Sequence, residues 1–318
     1  MQTAAKQTTL DIFTVAPHVF GMKDIFVNIY MITNEKAPDE WVLIDAGLKT
    51  SAPKIKKMAA LIFGEGSKPQ CIILTHGHFD HVGALQQLAE EWDVPVYAHY
   101  LERPYLTGRS SYPPPDPTVG GGLMANMSFL YPKKPIDITH RLRLLPENDL
   151  VPNLPGWRYI HTPGHAPGHI SLFRDEDKIL IAGDAFVTTN QNSVWSVMTQ
   201  KRELNGPPKY FTTDWDAAFR SVKQLADLEP ATVATGHGKP MSGPTMQDDL
   251  HELVEHFDEV ARPSHGRYAR EAALADENGV QYIPPRQPIS NERIGRVLLV
   301  SALVLTSLWL LVGKKRSG

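Results

Sequence analysis

Three observations predict an α/β fold for this chain, closed at its carboxyl end by an apolar helix. Short runs of β-branched and aromatic residues end in polar turns, stretches with apolar residues at helical spacing follow them, and the richest polar chemistry falls at a junction between the two. The run "IFVNIYMI", residues 25–32, and the run "WVLIDAG", residues 41–47, read as strands. "CIILTHG", residues 71–77, has the same character, and Leu85, Leu88, Ala89 and Trp92 beyond it fall on one helical face. Further strands are expected over residues 94–98, 170–173 and 178–182. A helix over residues 214–228 would gather Trp215, Ala218, Phe219, Val222 and Leu225 on one side, with Thr213 and Asp216 as a capping box. A second helix is expected over residues 245–260.

Two stretches break this alternation. "SSYPPPDPTVGGG", residues 110–122, excludes a regular helix or central strand, because successive prolines remove backbone donors and the glycines add freedom. We read residues 101–138 as an insertion covering a cleft, with Met124, Met127, Phe129 and Tyr131 as its apolar side; an ordinary surface excursion is the alternative. "YIPPRQPISNER" reads as a linker, and there is no internal repeat.

At 318 residues, 42% hydrophobic and 21% charged, the chain is long and apolar enough to bury one large core or two moderate ones. A net charge of −3 with scattered basic residues gives no concentrated positive face, so no nucleic-acid partner is expected. Cys71 is the one cysteine, which excludes an internal disulfide, and it is expected to pack as a small apolar residue. The first thirty residues lack a basic start followed by an apolar run, so no export signal is expected. "VLLVSALVLTSLWLLVG", residues 297–313, is uncharged for 17 residues and apolar on every face. It predicts a transmembrane helix, with a globular domain over residues 1–285, a linker over 286–296, and the membrane as a partner. Arg293 and Arg296 before the run balance Lys314, Lys315 and Arg316 after it, so charge gives no orientation, and a cytoplasmic domain is the default expectation.

"LTHGHFDHVG" crowds His76, His78, Asp80 and His81 into six positions at the strand-to-helix junction, where ligands gather in α/β proteins. Alternation along extended backbone would send His76, His78 and Asp80 to one side and His81 to the other, which suits two metals better than one. "HTPGHAPGH" adds His161, His165 and His169, "LIAGDAF" adds Asp184, and "ATGHGKP" adds His237. Each stands at a predicted strand end among small residues that permit close approach. Neutral imidazole and carboxylate suit zinc. His161 and His169 read as ordinary hydrogen-bonded residues, with support of the ligands as the alternative. His18, His99 and His140 read as structural.

The arrangement resembles the metallo-β-lactamase superfamily, whose dinuclear hydrolases carry a His-x-His-x-Asp-His run followed by distant His, Asp and His; the match covers roughly residues 11–242. The resemblance implies a four-layer αββα sandwich. It implies that His76, His78 and His165 hold one metal, that Asp80, His81 and His237 hold the second, and that Asp184 bridges both. Asp80 is also the candidate catalytic side chain, and Asp45 of "LIDAG" matches a position that supports the metal loops. The expected chemistry is attack by a hydroxide shared between two zinc ions. The lactamases proper carry cysteine or no equivalent ligand where Asp184 stands, and the oxygen-reducing diiron branch carries glutamate at His78. Glyoxalase II and the acyl-homoserine lactonases share "TPGHAPGH", although the lactonases read Asp-Ala-Ser-Tyr where this chain reads Asp184-Ala185-Phe186-Val187. The leading expectation is a hydrolase of a small carbonyl ester, thioester or lactone, with residues 194–198 lining the pocket. One alternative is a persulfide dioxygenase with a single Fe2+ on His76, His165 and Asp184. Another is a binding module without activity.

Overall fold

Successive side chains of the early strands are buried in opposite directions, so both faces of the sheet they form must be covered. The computed structural model describes residues 10–120, 122–189 and 202–286. Strands β1 (Asp11–Ala16), β2 (Val19–Asp24), β3 (Val27–Asn34) and β4 (Ala37–Ile44) form an antiparallel meander. It continues in parallel through β5 (Cys71–Ile73), β6 (Val96–Ala98) and β7 (Leu142–Leu144). Ile29, Met31, Trp41 and Leu43 point to one face and pack with Ile55 and Met58 of α1 (Ala52–Phe63) and Leu85 and Leu88 of α2 (Leu85–Trp92). The intervening Tyr30, Ile32, Val42 and Ile44, with Cys71, point to the other face. Each such buried side chain contributes roughly 1.5–3 kcal/mol.

What they meet is a second sheet of β8 (Trp157–His161), β9 (Ile170–Arg174), β10 (Ile179–Ile181), β11 (Thr232–Ala234) and β12 (Met241–Ser242). Trp157, Tyr159, Leu172 and Ile181 close the shared inner core. On its outer face, Phe173, Leu180 and Val233 pack with α5 (Trp215–Ala226), α6 (Pro244–Glu255) and Phe257 of α7 (Phe257–Val260). Sheet therefore lies on sheet, each with helices on its outside. A hairpin of β13 (Leu274–Asp276) and β14 (Gly279–Tyr282) follows. Asn28 and Tyr30 tie the sheets directly: the Asn28 amide donates to the carbonyls of Thr235 (2.9 Å) and Gly238, and the Tyr30 hydroxyl to Thr235.

Several boundaries differ from the sequence expectation. The first run falls within a single strand shifted by two residues, since Ile25 and Phe26 form the turn after β2 and β3 spans Val27–Asn34. Asp214, not Thr213, caps α5, its carboxylate accepting from the Ala217 N–H at 2.9 Å. The helix expected over residues 245–260 breaks at His256, which leaves the helical region (φ −109°, ψ 23°). In the insertion, a 3-10 turn over Tyr100–Glu102 leads into α3 (Arg103–Leu106), and α4 (Gly122–Met127) precedes a second turn over Ser128–Leu130. Its expected apolar side is partly wrong: Met127 and Phe129 are 41% and 58% exposed, and Tyr131 turns inward against Phe79.

The expected membrane anchor requires correction. Among the described residues no helix is long and apolar enough to cross a membrane, and residues 297–313 lie outside them. The transmembrane helix, the membrane partnership and the membrane-anchored, cytoplasmic placement are accordingly set aside.

Candidate metal centre

The backbone after β5 does not run on as extended chain. The His81 N–H donates to the His78 carbonyl at 2.9 Å, and the Val82 N–H to the same oxygen at 3.1 Å, so the histidine run closes into a turn. This corrects the expected alternation: His81 is folded back toward His76, their rings 4.1 Å apart. The second sheet supplies the partners. His165 lies in the loop from β8 to β9, Asp184 follows β10 and His237 follows β11.

Three interlocking groups result: His76 with His78 and His165, His76 with His81 and Asp184, and Asp80 with His81 and His237, the ligand atoms in each lying within 4.8 Å of one another. All seven side chains are buried. His78 Nδ1 and His165 Nε2 are 2.9 Å apart. Asp184 Oδ2 lies 3.1 Å from His237 Nε2, 3.4 Å from His165 Nε2 and 3.6 Å from His81 Nε2. Asp80 Oδ2 lies 3.6 Å from His237 Nε2. His76 Nε2, His81 Nε2 and Asp184 Oδ1 are buried without a hydrogen-bond partner. Three orphaned acceptor-capable atoms converging from two sheets would be costly in a purely protein core, and they fit a site for divalent cations.

Electrostatics agree with that donor set at His76, His78 and His165. Burial, reinforced by neighbouring histidines, holds His76 and His165 well below the ordinary histidine range and His78 at about 3. These rings are neutral at pH 7, the form that offers a lone pair. Burial also opposes charge on His81, but Asp45, Asp184 and Asp80 outweigh it and raise its pKa well above the usual value. Burial would raise Asp184, yet His237 and His81 hold it well below the carboxylate range. Burial raises Asp80.

The surrounding residues fix these rings. Asp45, at φ 61°, accepts from His81 Nδ1 at 2.7 Å and from the Thr75 N–H and hydroxyl, both at 2.8 Å. His169 Nε2 accepts from the Asp184 N–H at 2.9 Å, so His169 does support a candidate ligand. His161 instead bonds the Pro167 carbonyl and stacks on His99. Gly236 is needed for space, since a Cβ there would stand 2.1 Å from Asp184 Oδ1.

Sequence reasoning missed Glu102 and Tyr112. Glu102, fully buried, accepts from Gly77 N–H (2.9 Å), Gly168 N–H (2.7 Å) and the Tyr112 hydroxyl, joining the insertion to both histidine loops. Tyr112 packs on His78, which also stacks on Phe211. A lone acid and a tyrosine beside prolines carry no spacing signal that would have found them. A cavity of about 370 Å³ opens from this point, bordered by His78, Tyr112 and Phe211. The proposed pocket residues 194–198 lie outside the described residues.

Two mixed sheets with outer helices and a His/Asp cluster at one edge define a class, and residues 22–237 match the metallo-beta-lactamase superfamily. The chain belongs to that superfamily. It is 48% identical over 248 residues to a protein of Bacillus subtilis (strain 168) named probable metallo-hydrolase YflN, covering 78% of this chain and 94% of that one. A second protein of that organism, named probable metallo-hydrolase YybB, is 29% identical over 204 residues, covering 64% of this chain and 78% of that one. Among solved structures, BJP-1, a subclass B3 metallo-beta-lactamase of Bradyrhizobium japonicum, superposes with a TM-score of 0.52 at 20% identity, covering 78% of this chain and 92% of that one; at that identity the likeness concerns the fold alone.

Proposed function

We propose that this chain, a metallo-hydrolase by family, hydrolyses a carbonyl ester, thioester or lactone at a dinuclear zinc centre within the four-layer sandwich. The observation that carries this is Asp184, whose one carboxylate reaches candidate ligands on both sides while its second oxygen lacks a partner. His76, His78 and His165 would hold one cation, Asp80, His81 and His237 the other, and Asp184 would be shared. Bound cations there supply a water nucleophile active near neutral pH and polarise the substrate carbonyl.

The protein's own groups do the rest. Asp45 fixes the His81 ring through Nδ1, leaving Nε2 facing the centre, and His169 fixes the peptide from which the Asp184 carboxylate projects. Asp80 is the carboxylate we assign to accepting the proton lost by the attacking water, a role suited to an acid whose pKa burial has raised. Burial of all seven groups keeps bulk water from competing at the centre.

The test is to purify the full chain, count its metal, and assay thioesters, lactones, aryl phosphodiesters and a lactam in parallel. Two zinc ions per chain with turnover of a carbonyl substrate is the expected result. One iron with oxygen consumption on glutathione persulfide would replace this reading with the dioxygenase one. Asp184→Ala should lose nearly all turnover; a variant with full metal and wild-type rate would refute the bridging role.

A further inference from the structure

The cavity beside the centre has a charge pattern that the hydrolytic reading does not require. Its interior is lined by apolar and aromatic groups, among them Tyr105, Ile136 and Phe211. Three lysines also border it: Lys49, from the loop before α1, and Lys133 and Lys134, from the insertion. All three are exposed, and none forms an ion pair among the described residues. No aspartate or glutamate is among the groups lining it. The chain as a whole is acidic, at −3, so three lysines without ion pairs bordering one apolar opening are not a sample of its average surface. A volume of about 370 Å³ lies within the range that small organic ligands occupy, and lysine stems add apolar surface while their ammonium groups remain in water.

We propose that the cavity selects substrates whose apolar acyl body ends, away from the scissile carbonyl, in an anionic group. This rests on reading the centre as an ester or thioester hydrolase. The carbonyl would lie at the His78 side, the apolar body against Tyr105, Ile136 and Phe211, and the anion among Lys49, Lys133 and Lys134. Hydrolysis itself is unaltered in its balance: water adds to the acyl carbon, the bond to the leaving oxygen or sulfur breaks, and that atom leaves with a proton. The lysines are specificity residues and take no part in the bond changes.

The experiment compares p-nitrophenyl esters of equal acyl length ending in a methyl group, a carboxylate or a trimethylammonium group, using the full-length metal-loaded chain at low salt. The carboxylate ester is expected to exceed the methyl ester in kcat/KM by about tenfold, and the cationic ester to be poorest, with the differences shrinking as salt screens them. In the triple variant Lys49→Glu, Lys133→Glu, Lys134→Glu the ratio of carboxylate to methyl ester should fall to about one or below. The matching triple arginine variant should restore it. Turnover of all three esters at equal rates, or a preference that survives charge reversal, overturns this proposal and leaves the hydrolase reading standing. If none of the three esters is cleaved, the parallel thioester and lactone assays decide the hydrolase reading, and calorimetric binding of the dicarboxylic half-amide against its uncharged methyl-terminated amide still decides the pocket: tighter binding of the anion that charge reversal removes supports the proposal, and equal binding overturns it.

Discussion

At Asp45 a single carboxylate holds three donors, and one of them is the ring of a candidate ligand. Asp45→Ala should therefore lower metal affinity by about 10–100-fold, the loss usual when a ligand's orienting partner is removed, read by competition with a chromogenic chelator. Glu102 offers a pH test. Burial pushes its pKa up to about 7 against the three donors that favour the carboxylate, above an ordinary value of 4.5. A folded pKa above the unfolded one means stability fully present below about 4.5 and lost as pH rises through about 7. Glu102→Gln has no proton to lose, so in urea denaturation of the chelated chain its loss of stability from pH ~4.5 to ~8 should be smaller by up to about 3 kcal/mol. An unchanged pH slope would place that titration elsewhere. The ligand run was legible at this scale because spacing alone marks it. Glu102 was not, because nothing local distinguishes a buried acid from a solvated one.

At the scale of elements, α5 shows how a helix start positions a ligand. Thr213 N–H and Asp214 N–H both donate to the Gly164 carbonyl at 3.0 Å, next to His165, and a Cβ on Gly164 would stand 2.3 Å from the Ala218 nitrogen. Asp214→Ala should cost about 1 kcal/mol in denaturation midpoint experiments, the usual value for a lost cap. The apolar face of this helix was plain from its spacing, whereas its start was misassigned because Thr213 and Asp214 are both good caps and only the fold decides between them. The strands of the sheets were readable where both faces are apolar, as in β3 and β4. β1, half-exposed along its length, gave no such pattern and went unrecognised.

For the whole molecule, the sandwich arranges four candidate ligands on a loop of the first sheet and three on loops of the second. Chelation should abolish turnover and lower the melting temperature, since it leaves buried neutral imidazoles and carboxylates without the cations that pair them. Calorimetry of the loaded and stripped chain measures this directly, and equal melting temperatures would show that the cluster is stable unaided. The α/β class was legible from the alternation of elements, and the family from its motif order. The terminal apolar run is a signal of composition alone, with no polar pattern to place it in the fold, and it lies outside the described residues.

The division of donors between the sheets has a consequence for biosynthesis. His78 and His165 stand 87 positions apart, and Asn28 and Thr235, which clamp the far loop, 207 apart. A ribosome that has released only the first sheet has made half a socket, and the candidate ligand set is complete only once His237, beyond β11, has emerged. Uptake of the full metal complement thus requires the chain at least as far as His237, and a product ending before His165 would carry only the four candidate ligands of the first sheet.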